Sequence, residues 1–388
     1  MLPSIEESFI QLKSYCEKEK FKGWDPYDGL NSKVFQASFF RHSRLARLAW
    51  IQLFKRNPVN FRPLLLVEKA FNPKALGLFL SGYCNLYKIQ AEPGTMSTID
   101  NLATQLLALH TKGYSGCCWG YNFDWQARAF FQPKYTPTVV ATTFIANAFL
   151  DAYEVTDNSE YLATARSACD FILNDLNRTY GEKGEFSFSY SPLDKSVVFN
   201  ASLLGSRLLA RVYKFTREES LITESEKSVA FCCRQQREDG SWSYGTLSFH
   251  QWVDNFHTGY NLECISDFMK FSGSSVYQKN LDSGFDYYVK TFFTDDGKSK
   301  YYNNSLFPID IHAPAQLIIT LSKLDKYIEY GHLLQKVILW TIAHMQSPEG
   351  YFYYQINPRF SSKIPYMRWA QAWMFYSLSE YIAISKNA

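Results

Sequence analysis

The chain lacks the features that would mark a bilayer span, a disulfide scaffold or a strongly charged binding surface. Nowhere in its 388 residues does a run approach the ~18 uninterrupted apolar positions needed to cross a membrane, so no membrane insertion is expected. Neither charge is in excess. The 40 Lys and Arg against 37 Asp and Glu leave a net +3, which gives no reason to invoke nucleic acid or an acidic membrane surface. No Cys-x-x-Cys pair occurs among the eight cysteines, and several sit in apolar runs such as Ala230-Phe-Cys-Cys. That pattern suits small buried hydrophobes in a reducing compartment. Met1–Lys20 reads as a charged amphipathic helix with no apolar core of the signal-peptide kind, which predicts a cytoplasmic protein.

What the chain has in abundance is aromatic rings: 27 Tyr, 31 Phe and 9 Trp, or 17% of residues. Hydrophobic residues reach 46% and charged ones only 20%, enough for a large core and against disorder. The rings either fill helix interfaces or line a cavity for sugars or a hydrocarbon. Composition does not separate the two.

A repeat organises the second two-thirds of the sequence. An aromatic, Gly-containing loop leads into a helix that is apolar on most faces; a short polar turn follows, then a more amphipathic helix. The first helices are Thr138–Tyr153, Val198–Phe215, Phe256–Phe271, Ile311–Leu324 and Tyr366–Tyr381, and their ends align at Tyr153, Tyr213, Met269, Ser322 and Ser379, spaced 60, 56, 53 and 57 residues apart. The second helices run roughly Ser159–Asn177, Leu221–Arg237, Val276–Phe293 and Ile328–Met345. Upstream, Lys33–Phe54, Pro73–Tyr87 and Ser97–Thr111 also read as helices, Ser97 as a cap. The segment Asn57–Pro73, interrupted by Pro58 and Pro63, reads as a packed connector. Eleven or twelve helices make six hairpins, and first members apolar all round suit an inner ring. The expected fold is therefore all-α, an (α/α)6 toroid occupying residues 1–388 as one domain, with long aromatic loops at one rim. An open solenoid of the same hairpins is the competing architecture.

In such a ring the starts of the inner helices converge on one mouth, so the candidates sit there. Asp254 and His257 are three apart at a helix start and can share a face. A carboxylate that orients an imidazole suits a general base or acid; the competing role for Asp254 is a plain helix cap. Asp310 and His312 repeat the theme one hairpin later, one facing the site and one structural. Trp119, Tyr121, Asp124, Trp125 and Arg128 crowd ten residues with rings, a carboxylate and a guanidinium, as a sugar platform would, or as a loop plugging the ring would. Asp25 and Asp28 read as turn formers. Arg368, beside Trp369, either clamps an anionic substrate group or pairs with a rim aspartate. Tyr260 lies one turn after His257. Asp254, His257, Asp124 and Asp310 are the catalytic candidates; Trp119, Tyr121, Trp125, Arg128, Tyr260, His312, Arg368 and Trp369 are the substrate-binding ones.

Two motifs carry resemblances. Gln235-Gln-Arg-Glu-Asp-Gly-Ser-Trp resembles the Gln-Trp repeat of terpenoid cyclases and prenyltransferases, and Gln346-Ser-Pro-Glu-Gly-Tyr-Phe-Tyr is a looser copy. Asp254–Leu262 resembles the helix start that supplies the zinc histidine of protein prenyltransferase β subunits, with His257 in that place. The chain has no matching Asp and Cys ligands, no Asp-x-Asp-Asp and no helical Asp-Asp-x-x-Asp, so no metal and no cofactor are expected. The same ring is shared by six-hairpin glycan enzymes: glycosidases, uronyl hydrolases, lyases and sugar epimerases. Gly23-Trp-Asp-Pro-Tyr-Asp-Gly-Leu-Asn-Ser is similar to a segment of uncharacterised bacterial proteins associated with surface-polysaccharide genes. Together these imply a glycan-directed enzyme (hydrolase, lyase or epimerase) with a sugar or polysaccharide substrate and acid–base chemistry at the mouth. The alternatives are a prenyl- or terpenoid-handling enzyme and a non-catalytic carbohydrate-binding or scaffold protein.

Overall fold

The structure is a computed structural model that describes residues 4–127 and 131–387. In chain order its helices are α1 (Ile5–Lys18), α2 (Lys33–Ala37), α3 (Arg44–Arg56), α4 (Pro73–Ile89), α5 (Pro93–Ala108), α6 (Val139–Thr156), α7 (Ser159–Asp175), α8 (Phe199–Thr216), α9 (Glu219–Arg234), α10 (Asn255–Ser272), α11 (Gln278–Phe292), α12 (His312–Lys323), α13 (Gly331–Met345) and α14 (Ala372–Asn387). A π-helical turn, Met367–Gln371, leads into α14. Short antiparallel ribbons occupy the loops: β1 (Trp125–Gln126) with β2 (Phe131–Gln132), β3 (Arg178–Tyr180) with β4 (Phe186–Phe188), and β5 (Ile309–Asp310), β6 (Gln355–Ile356) and β7 (Ser361–Ser362) in one sheet.

The ring closes. Helix α4 packs on α6, α6 on α8, α8 on α10, α10 on α12, α12 on α14, and α14 back on α4. Each inner helix carries an outer partner: α5, α7, α9, α11 and α13 follow their inner helices, and α1 supplies the outer partner of α14. The fold is thus an (α/α)6 toroid rather than an open stack. Burial follows the two roles. Every residue from His312 to Leu321 in α12 is buried, whereas α11 buries Leu281, Gly284, Phe285, Tyr288 and Phe292 at helical spacing along one side. The inner wall is tight. A Cβ on Gly259 of α10 would fall 2.5 Å from Gln316 of α12, so glycine there lets the two helices approach.

Local chemistry moves some boundaries from where the sequence pattern puts them. The expected helix Lys33–Phe54 is broken into α2, a 3-10 turn at Phe39–His42, and α3. The hydroxyl of Ser38 donates to the Phe35 carbonyl at 2.7 Å, and Ser43 caps Ala46; these side chains compete with continuous helix. Helix α5 starts at Pro93, whose fixed φ suits a first helical position, rather than at Ser97. In the connector after α3, Arg62 and Val67 are buried but Leu64 and Leu66 are exposed.

The loops before the inner helices are stitched to one another around the mouth. The first backbone N–H groups of α6, α8, α10 and the Ile311 N–H before α12 donate to the carbonyls of Tyr190, Tyr244, Tyr301 and Tyr354 in the neighbouring loops, at 2.9–3.2 Å. Met367 N–H does the same to Trp24. Groups that a free helix start would leave to water are satisfied by the next loop, and each contact sets an aromatic side chain at the rim.

Candidate functional site

The site forms where α10, α12 and the π turn begin. Asp254 is the extended residue before α10, and its side chain accepts from the His257 N–H at 2.9 Å, capping the helix. Its other oxygen, Oδ2, lies 2.7 Å from His257 Nδ1. The cap and the orienting role proposed for Asp254 are therefore held by one carboxylate, one oxygen each. With Nδ1–H directed at the carboxylate, Nε2 is the lone-pair nitrogen of the neutral ring. Asp254 is buried, and His257 keeps 20% of its side chain exposed. The ring is held by Tyr244, Phe256 and Trp252, with centroids 4.8, 4.2 and 5.6 Å away. Tyr244 itself stacks on Trp252 at 4.3 Å. Asp254, His257, Tyr244 and Trp252 line a cleft with Asn200 and Asn261; Oδ1 of both asparagines is buried with no protein partner among the described residues. Unpaired buried acceptors beside an imidazole suit hydroxyl donors from a ligand.

His312 begins α12 on the other side of Phe256, whose ring stacks on it at 4.4 Å. Its Nε2 is 2.7 Å from the Tyr260 hydroxyl, and Nδ1 has no partner among the described residues. Burial, then the charges of Lys74, His257 and Arg368, hold its pKa well below the usual histidine range, so the ring is neutral. Asp310 does not meet the His312 ring. It accepts from the His312 backbone N–H (2.9 Å), Trp369 Nε1 (2.9 Å) and Gln355 Nε2 (2.6 Å). Burial raises its pKa to about 6 although these donors oppose the rise. Asp310 and Trp369 thus lock α12 to the π turn.

Arg368 forms a two-point ion pair with Asp25, at 2.5 Å and 2.9 Å, both buried. Its guanidinium also lies 5.0 Å over the Tyr121 ring. Asp25 still makes its turn, accepting from Tyr27 N–H, and Asp28 pairs with the buried Arg62 at 2.7 Å. Tyr121 stacks on Phe123 at 5.3 Å, and its hydroxyl is 3.5 Å from that of Tyr190. Trp125 lies between Tyr27 and Tyr190, with centroids 6.1 and 5.8 Å away. The other platform residues are placed differently. Trp119 is fully buried against Phe149, its indole N–H donating to Leu106 in the last turn of α5. Asp124 accepts from Lys134 N–H across the β1–β2 ribbon. Arg128 lies outside the described residues.

The Gln-Trp segment has a clear structural job. Trp242 Nε1 donates to Cys232 in the last turn of α9, as Trp119 does to α5, and the Gln236 amide donates to Gly240 and Asn280 carbonyls. Gln346 does likewise to Gly350 and Ser8.

Sequence reasoning missed three contributors. Tyr27 enters the mouth from the N-terminal loop, touching Trp369 and accepting a 2.8 Å hydrogen bond from Lys55. Tyr244 backs His257. Lys74, in the first turn of α4, is buried with its ammonium 4.0 Å from the Phe144 centroid and near Tyr260 and Trp373. Burial, and then the Arg368 charge, push its pKa well below the ordinary lysine value. A signal for the tyrosines existed: Gly-x-x-x-Tyr recurs at 240–244, 297–301 and 350–354.

Comparison with solved structures supports the toroid. Cellobiose 2-epimerase from Bacillus thermoamylovorans aligns with a TM-score of 0.61 at 14% identity, covering 80% of this chain and 88% of that one. An unsaturated glucuronyl hydrolase specific for heparin gives 0.64 at 12%, covering 98% and 96%. A possible GH105 family member from Salmonella enterica serovar Paratyphi A gives 0.65 at 13%, covering 99% and 96%. At such identities the likeness is one of fold. No family model matches the chain, and no curated protein matches it in sequence.

Proposed function

We propose that the protein is a glycan-directed enzyme that moves a proton at a sugar carbon, as an epimerase or lyase does, with His257 as the base. The observation that carries this reading is the Asp254–His257 pair, which lines a cleft with the rings of Tyr244 and Trp252 and with Asn200 and Asn261, whose amide oxygens have no partner among the described residues. General-base work needs an oriented imidazole within reach of the substrate proton, and aromatic faces with polar acceptors suit a sugar ring. Hydrolysis fits less well. It asks for two carboxyl groups about 5–10 Å apart, available to the glycosidic oxygen and to water or the anomeric carbon. Here Asp254, Asp310, Asp25 and Asp124 each already accept from protein donors. On this reading the Tyr260–His312 pair, across Phe256, returns or relays the proton; their 2.7 Å hydrogen bond and the Phe256 stack support it. The fold neighbours include a sugar epimerase and a uronyl hydrolase, which agrees with the glycan class without choosing the reaction.

The test is proton exchange. Reducing disaccharides and uronate-containing oligosaccharides are incubated with the protein in D2O, and loss of a sugar C–H signal is followed by NMR. Exchange that disappears in His257→Gln supports the reading. Glycosidic cleavage without C–H exchange, or exchange that survives in His257→Gln, would overturn it.

A further inference from the structure

Residues 29–67 contain seven Lys or Arg and not one Asp or Glu. The chain as a whole is nearly neutral, so this segment concentrates its positive charge. Two of the seven are committed inward: Arg62 pairs with Asp28, and Lys55 donates to Tyr27. Lys33 pairs with Glu68. Arg41, Arg44 and Arg56 are exposed. Arg41 and the half-buried Arg47 donate to neutral oxygens of Gln36 and Gln126, and neither pairs with a carboxylate among the described residues.

The same stretch holds the greatest density of exposed apolar side chains. Of nineteen large hydrophobics exposed among the described residues, eight fall between positions 34 and 66. Phe39 is 78% exposed, Leu45 77% and Leu64 75%; the Phe39 and Phe40 rings meet at a tilt with centroids 4.1 Å apart. Between α2 and α3 runs a groove of about 550 Å³ lined by Val34, Phe35, Phe40, Ala46, Trp50 and Leu53. The Leu64–Leu66 loop is joined to α2 through Ser32 and Lys33, so these side chains belong to one face. Soluble surfaces rarely gather this much apolar area without a partner.

We propose that this face docks the protein on an anionic lipid bilayer. Phe39, Phe40 and Leu45 enter the boundary between headgroups and acyl chains, while Arg41 and Arg56 lie among the phosphates. The charge decides the occupant. A second copy would bring together two faces in which basic residues outnumber acidic ones, and like charges oppose that. A nucleic acid would match the arginines but leave the valine and leucines against a charged backbone. An anionic bilayer satisfies both at once, as basic amphipathic surface helices do. No described helix is long and apolar enough to cross a membrane, so the attachment is peripheral. Arg47 ties α3 to β1, which places the docking face beside the Trp125 side of the mouth.

The experiment is vesicle flotation of the full chain on phosphatidylcholine, with and without phosphatidylglycerol. Binding to the anionic vesicles should exceed binding to neutral ones by roughly tenfold and fall as salt is raised. Phe39→Ser/Phe40→Ser/Leu45→Ser and Arg41→Glu/Arg56→Glu should each abolish flotation, with far-ultraviolet circular dichroism unchanged because these side chains are exposed. The salt dependence of the unaltered protein keeps the test open if a variant fails to fold. No flotation, or equal flotation on both vesicles, overturns the proposal. So does lipid-free self-association that the serine variants remove, or oligonucleotide binding in place of vesicle binding.

Discussion

Asp25 and Arg368 stand 343 positions apart in the chain yet form a two-point ion pair buried at the mouth. The pair fastens the N-terminal loop, which brings Tyr27 to the site, onto the π turn before α14. Removing one partner leaves the other charged and desolvated, which typically costs about 3–5 kcal/mol. Asp25→Asn and Arg368→Met should each lower stability on that scale. The double variant should lose less than the sum, because no orphan charge remains. Urea unfolding measures this. Single variants within about 1 kcal/mol of the parent would mean that water solvates the pair.

His257 should be dispensable for folding and needed for turnover. His257→Gln is expected to reduce C–H exchange by about 10²–10⁴-fold, the usual range for a general base, with little change in melting temperature. Asp254 separates its two jobs. Asp254→Asn keeps a capping oxygen and should preserve stability while reducing exchange; Asp254→Ala should cost a further ~1 kcal/mol through the lost cap. Equal stability and equal activity in the two Asp254 variants would refute the division.

Glu263 is buried in the ring wall, hydrogen-bonded by Gln316 and by Thr320 at 3.1 Å, with Arg207 at 3.5 Å. Burial raises its pKa from 4.5 to about 7, against the pull of Arg207. A carboxyl raised in the folded state holds a proton there that the unfolded chain has released. Its contribution therefore favours folding at low pH and fades as pH rises from about 4.5 to 7. Glu263→Gln should flatten the fall in stability across that window. Melting curves at pH 5 and pH 7 for both proteins test this; an unchanged slope would assign the pH dependence elsewhere.

Lys74 sits among Phe144, Tyr260 and Trp373 with no carboxylate in ion-pair range among the described residues. Its depressed pKa means the folded state resists the proton that the unfolded chain keeps until about pH 10.5. The penalty is greatest below the folded pKa and vanishes above the unfolded one. Lys74→Met should therefore stabilise the fold by on the order of 1–3 kcal/mol, most at low pH. Destabilisation at every pH would show that contacts with the rings outweigh the cost of burying the charge.

Much of the ring was readable because its cause is periodic. Helices apolar on every face at intervals of 53–60 residues have few places to go except inside a second layer. The helix starts at Asp254 and Thr138 were legible for a similar reason, since a short polar side chain before an apolar run answers unpaired N–H groups. The mouth was read unevenly. Asp254 and His257 are near neighbours, so helical geometry alone brings them together. Trp119, by contrast, was grouped with Tyr121 and Trp125 by adjacency. The indole hydrogen bond to the Leu106 carbonyl of α5 turns it inward instead. Whole-chain charge concealed the basic segment around α3, because acidic residues elsewhere cancel it in the total.

The sequence by itself determined which helices are buried, how many hairpins there are and which polar residues begin the inner helices. All of these follow from local periodicity and capping. The folded ring alone decided that Asp25 meets Arg368, that α1 completes the hairpin of α14, and that Tyr27, Lys74 and Tyr244 join the mouth. Those contacts join segments tens to hundreds of residues apart, and only closure of the toroid sets their distances.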